Sequence, residues 1–202
     1  MDIKQSIIEI AFQMIKKEGF ENVSVDAICN ECGITKPTFY KYIGAKDNLL
    51  TYFYDHVTGQ FTDAAVKMLT ADNYWEQICR GFDTILGWSR EFGAELYSQL
   101  FIVNLKQNRG TFDFNSRLTE VMNFLFRKAQ ENGQINNSSP AKDLYISCAH
   151  LCFGYGIVWC LEKGNFNLLD DFHRALETVC DVVDEYKTAL PSDTNTGYQI
   201  TD

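Results

Sequence analysis

Residues 32–50 read CGITKPTFYKYIGAKDNLL. Gly33 is a turn residue, Thr35 is an N-cap, and Lys36 to Tyr42 form the short helix that such a cap starts. Pro37 fits this reading, because a proline in the first helical turn gives up only an N–H that has no partner there. Just upstream, Ser24 caps another short helix through Ala27, Ile28 and Cys32. Before it, Ile3, Ile7, Ile10, Ala11, Met14 and Ile15 recur at helical spacing, and Lys16, Lys17 and Gly19 close that first helix near Glu18. Three helices, the last two meeting across a tight glycine turn, predict a helix-turn-helix unit over residues 1–48.

From about Ala45 an apolar-periodic stretch runs through Leu49, Leu50, Phe53, Val57, Phe61, Ala65 and Met68, and reads as one helix joining two modules. Ala45 leaves its start without a capping side chain. Further helical windows span 74–90, 91–106, 114–132, 141–162 and 168–190, separated by polar stretches such as QNRGTFD, NGQINNSSP and KGNFN. Almost nothing alternates as a strand does. The expected fold is therefore all-α: the helix-turn-helix unit at 1–48, a larger helical domain at 49–190, and a flexible tail at 191–202.

The chain has 202 residues, 46% hydrophobic and 22% charged, as in an ordinary globular protein. No window approaches the roughly 18 consecutive apolar residues of a membrane-spanning helix, and the first residues lack a signal peptide, which predicts a cytoplasmic protein. The seven cysteines sit in helix-like segments and read as reduced thiols. Cys29 and Cys32 have the spacing of a redox or zinc pair, but no second half accompanies them, and His56, His150 and His173 stand apart; no metal and no cofactor is expected. No glycine-rich phosphate loop, nucleophile elbow or dinucleotide fingerprint occurs, so the chain does not read as an enzyme.

In a helix-turn-helix the second helix enters the major groove of DNA while its N-terminus and neighbours hold phosphates. Thr35 and Thr38 supply hydroxyls, Lys36, Lys41 and Lys46 supply charge, and Tyr40 and Tyr42 supply phenols. The net charge of −9 opposes this reading. Residues 1–48, however, hold six lysines against seven carboxylates, a local balance of −1, so affinity rests on where the lysines cluster.

Residues 3–50, from IIEIAFQMIKKEGFENVSVDAICNECGITKPTFY to KYIGAKDNLL, strongly resemble the TetR family of transcriptional regulators. The resemblance implies an all-helical homodimer that binds a palindromic operator and a small molecule that changes operator affinity. It places Ser24, Thr35, Lys36, Thr38, Tyr40, Lys41, Tyr42 and Lys46 at DNA, with Pro37 in the same first turn. Ile43, Ala45 and Pro37 depart from its commonest residues. Cys29 and Cys32 stand where the family has alanine, which makes them small buried packing residues.

The second half is rich in aromatics, and a cavity between helices lined by Trp88, Phe92, Tyr97, Phe101, Phe124, Phe153 and Trp159 would take a small, largely apolar effector. Glu95, Asn104 and His150 are its candidate polar groups. Dimerisation is expected through the last two helices, with Phe172, Leu176, Val179, Val183 and Tyr186 as one apolar stripe. The predicted function is a ligand-responsive repressor. A co-activator or adaptor that binds a protein partner instead of DNA, or a thiol-based redox sensor on the same fold, remains open.

Overall fold

The structure, a computed structural model, describes residues 2–59, 70–108 and 116–187, and the regular elements among them are helical. They are α1 (Ile3–Glu18), α2 (Val25–Cys32), α3 (Lys36–Ile43), α4 (Asn48–Gly59), α5 (Tyr74–Lys106), α6 (Ser116–Glu131), α7 (Ala141–Leu161) and α8 (Leu168–Cys180), followed by a 3-10 turn at Asp184–Tyr186. The chain divides into two compact units, Met1–Gln60 with Glu91–Phe112, and Phe61–Arg90 with Asp113–Asp202. The first unit takes in α4 and the C-terminal half of α5 along with the first three helices, so it reaches beyond the boundary expected at residue 48.

In the first unit α1 packs against α2, α3 and α4. Its inward stripe is Ile7, Ile8, Ala11 and Ile15, and it meets the fully buried Ile28, Phe39 and Leu49. Phe12 lies edge-on to Phe53 of α4 at 5.0 Å and to Phe92 of α5 at 5.8 Å. That second ring contact explains why the 91–106 segment belongs with this unit.

The expected helix from Ala45 begins at Asn48 instead. The N–H groups of Asn48, Leu49 and Leu50 bond to the carbonyls of Ala45, Lys46 and Asp47, a tight first turn that satisfies donors a cap would otherwise serve. The Asn48 amide also reaches back to the Ile43 carbonyl at 2.7 Å. Ala45 thus costs the helix no cap. The expected continuation through Phe61, Ala65 and Met68 lies outside the described residues.

α5 merges the two windows read as separate helices. Gly93 marks their junction, with φ 68° and ψ 167°, a backbone conformation available essentially to glycine alone.

In the second unit α7 packs on both α6 and α8. By length and composition α7 is apolar enough to cross a membrane, although Lys142, Asp143, Ser147 and His150 keep it short of 18 consecutive apolar residues. The reason for its apolar character is its position: a helix flanked on two sides buries Leu144, Tyr145, Cys148, Ala149 and Cys152 and needs apolar residues over most of its circumference. Phe82, Tyr145, Phe126 and Phe172 form the aromatic core, with ring centroids 5.2 to 6.4 Å apart.

The last helix was expected to run to Leu190, but α8 ends at Cys180. Asp181 adopts the left-handed conformation (φ 49°, ψ 60°), and the Val182 N–H closes back onto the Glu177 carbonyl. The chain then pairs with the loop after α6: Val182 bridges Ile135, the Val183 N–H donates to Gln134 O, and the Asn136 N–H donates to Asp181 O. The Gln134 side chain, itself buried, accepts the Trp75 N–H at the start of α5. Val183 and Tyr186 therefore lie off the helical stripe, while Phe172 and Leu176 belong to the core.

Candidate nucleic-acid interface

The turn and the helix after it are fixed locally. Ser24 Oγ accepts the Ala27 N–H at 3.1 Å to start α2, and α2 ends where the N–H groups of Gly33 and Ile34 bond to Asn30 O and Cys29 O. Gly33 is left-handed (φ 63°, ψ 33°), which a residue with a Cβ adopts at a cost. Thr35 then caps α3: its Oγ1 accepts the Thr38 N–H at 3.4 Å and lies 3.0 Å from the Thr38 hydroxyl.

α3 turns Phe39 and Ile43 inward, both fully buried. What remains outside is Lys36, Pro37, Tyr40 and Lys41, with Thr38 and Tyr42 half-buried beside them. Between Gly33 and Lys46 the sequence holds three lysines and no carboxylate. Eight residues of helix thus present hydroxyls, phenols and cations on one outer face, the donor set that phosphates and the acceptor edges of bases require. Ser24, at the head of α2, is exposed as well.

The three lysines are held differently. Lys36 Nζ lies 2.8 Å from Asp26 Oδ1 of α2, and its pKa is raised by that hydrogen bond and by the Asp26 charge. Lys46 Nζ sits 4.4 Å from the centre of the buried Phe20 ring, a cation–π position that leaves its hydrogens to a partner. Lys41 Nζ is 5.4 Å from the Tyr42 ring. Behind this face, burial raises the pKa of Cys29 and of Cys32, as in thiols that pack. The sequence reading passed over Asp26 and Phe20, because neither carries a DNA-binding chemistry until the fold brings it to a lysine.

The residues expected to line an effector cavity are divided between the two units. Phe92, Glu95, Tyr97, Phe101 and Asn104 belong to the first: Phe92 meets Phe12, Glu95 lies beside Gly19, Tyr97 and Phe101 pack edge-on at 4.9 Å, and Asn104 donates to the Leu100 carbonyl. Phe124, His150, Phe153 and Trp159 belong to the second. There Phe124 and His150 are exposed, Phe124 lies beside the cations of Arg127 and Lys128, and Trp159 Nε1 donates to the Phe166 carbonyl. The Trp88 side chain lies outside the described residues. Helical spacing ranks aromatics by face but cannot say which unit a kinked helix assigns them to.

The second unit also holds polar pairs with no signature in sequence. His173 Nε2 is 2.6 Å from Asp83 Oδ1, joining α8 to α5 across 90 residues of chain. Burial lowers the His173 pKa, but the hydrogen bond to Asp83 and the charges of Asp83, Glu177 and Asp170 outweigh it, and the net shift is upward. Asp171, nearly buried, pairs with Arg174 one turn on. Cys148 and Cys180 face each other with sulfurs 3.7 Å apart.

Residues 7–53 match the family model described as bacterial regulatory proteins, tetR family. No curated protein matches the chain. Among solved structures, the fold is similar to that of PfmR, a TetR family transcriptional regulator from Thermus thermophilus, with a TM-score of 0.61 at 16% identity over 88% of this chain and 98% of that one. A TetR transcription regulator from Haloarcula marismortui gives 0.64 at 16% identity, covering 89% and 97%. The transcriptional regulator FadR from Bacillus subtilis, solved with stearoyl-CoA, gives 0.60 at 13% identity, covering 89% and 98%. Residues 7–53 are thus similar to the N-terminal domain of the bacterial regulatory proteins of the tetR family, and the helical fold of the described residues is similar to that of solved regulators of that family.

Proposed function

We propose that this protein is a ligand-responsive transcriptional repressor that binds a palindromic operator as a homodimer, with α3 of each copy in a major groove. The observation that carries the reading is the outer face of α3 and its flanks. Lys36, Lys41 and Lys46 stand there with Thr35, Thr38 and Tyr40, free of carboxylates in the same stretch of chain, on a helix whose other face is anchored by Phe39 and Ile43. An acidic chain binds DNA only through such local clustering.

The dimer reading rests on α7, which leaves Ile157 and Leu161 exposed, the latter at 73%. Exposed apolar side chains on such a helix are of the kind that a symmetric copy covers. The effector is assigned to the second unit, whose aromatic interior suits a small, largely apolar molecule. FadR, which shares the fold, was solved with stearoyl-CoA, a ligand with a long apolar chain. The reading carries no catalytic step, cofactor or metal, and it places the protein in the cytoplasm with the DNA it regulates.

The test is selection of duplexes from a random pool, followed by affinity measurement on the selected and on scrambled sequences across a salt series. The expected result is a palindromic consensus bound more tightly than the scrambled duplex, with log affinity falling linearly in log salt. Recovery of no consensus, with equal binding to all duplexes, would reject operator recognition and favour a protein partner for the same face.

A further inference from the structure

Asp26 lies in the first turn of α2, where a carboxylate is favoured by the helix dipole, but that role does not require it to reach Lys36. Both side chains are more than half exposed, at 54% and 63%, and exposed ion pairs contribute little to folding. Capping does not need Asp26 either, since Ser24 already caps α2. Yet the carboxylate sits at the edge of a lysine-bearing face, where it opposes phosphate. It also holds the Lys36 ammonium at 2.8 Å, on the first residue of the helix that would enter the groove.

We propose that Asp26 is a specificity-determining residue, which withholds Lys36 from phosphates and releases it to a guanine edge. This rests on the DNA-binding reading above. A lysine held by a carboxylate has already exchanged its counterion for Asp26, so a single phosphate, an acceptor of like charge, offers it little. A guanine presents two acceptors side by side, N7 and O6, and the partner cytosine presents an N4 amine that a carboxylate can accept from. At a G·C pair both members of the Lys36–Asp26 pair find partners. Along bare backbone only the lysine does, while the carboxylate is left facing phosphate. The acid therefore lowers non-specific affinity more than operator affinity.

The experiment compares Asp26→Asn, Lys36→Ala and the double variant, in the full-length protein, on the selected duplex and on a scrambled one across a salt series. Asp26→Asn keeps the shape and frees one lysine for phosphate. Affinity for scrambled DNA should rise about eightfold at 0.1 M salt, the factor that corresponds to one further counterion and a slope steeper by about 0.9. Operator affinity should rise less, so the ratio of the two falls. In the Lys36→Ala background Asp26→Asn should change the ratio and the slope less than it does in the parent protein. An equal rise on both duplexes in both backgrounds would overturn the proposal, since it would make Asp26 a general repellent rather than a partner of Lys36. An unchanged ratio in Asp26→Asn overturns it too while leaving the DNA-binding reading intact. If the unmodified protein itself cannot tell the two duplexes apart, both fall.

Discussion

Gly93→Ala isolates backbone strain from packing. At φ 68° and ψ 167° the residue occupies a region that side-chain-bearing residues enter at a cost of about 1–3 kcal/mol. A Cβ built there meets no heavy atom within 4 Å, so no clash adds to that figure. For a chain of this size 1 kcal/mol shifts the melting temperature by roughly 2–4 °C, so the variant should melt about 2–12 °C lower. Gly87 is the control, because it lies in the same helix and its Cβ also meets nothing within 4 Å. Gly87→Ala should gain up to about 1 kcal/mol from reduced freedom in the unfolded chain, raising the melting temperature by roughly 2–4 °C. The two variants are read by far-UV circular dichroism during heating and by urea midpoints. Opposite signs are expected. A Gly93→Ala protein stabilised as much as Gly87→Ala would refute the break in α5 and make it one regular helix.

Three further outcomes are expected. Lys46→Ala should weaken operator and scrambled duplexes alike and lower the salt slope by about 0.9, as loss of one phosphate contact does, whereas Lys41→Ala should relax base choice by about 1–3 kcal/mol; relaxed base choice from Lys46→Ala alone would put the wrong residue in the groove. The His173 pKa is raised on folding above its usual 6.5, so the stability it contributes is complete below that value and is lost as pH rises through the folded pKa; urea midpoints should show that loss in the parent protein and not in Asp83→Asn, and a parallel pH profile for the two would dismiss the pair. Burial lifts the Cys79 and Cys152 thiols and takes Cys160 to about 12, and the hydrogen bond to Cys148, then burial, lifts Cys180, so a thiol reagent at pH 8 should label these cysteines only as the protein unfolds; rapid labelling of the folded protein would revive the redox reading.

The N-terminal unit was legible because its signals are local. Ser24 and Thr35 are capping residues three positions from the N–H they accept, and Gly33 is a turn residue read without knowledge of the rest. The end of α8 was not legible. Its left-handed residue is an aspartate rather than a glycine, and the apolar spacing of Val183 and Tyr186 carries on past it. What stops the helix is Gln134 and Ile135, more than forty residues earlier, and no window around Cys180 contains them. Asp26 was missed for a related reason: a carboxylate beside a DNA-binding helix reads as a solvated charge until Lys36 is seen to reach it.

The loop after α6 changes how this unit should open to solvent. Amides in irregular segments ordinarily exchange their hydrogens with water quickly, since nothing inside the protein holds them. Here Asn136 and Asn137 donate to Asp181 O and Cys180 O, Val183 donates to Gln134 O, and Trp75 donates to the Gln134 side chain 59 residues away. These bonds cannot break one at a time without freeing the start of α5 or the end of α8. Deuterium uptake at Trp75, Asn136, Asn137 and Val183 should therefore be slow and should rise together, as one cooperative event, although three of the four lie in no helix. The last turn of α8 is held by the same bonds, so it should resist fraying in the way of a helix interior rather than a helix end.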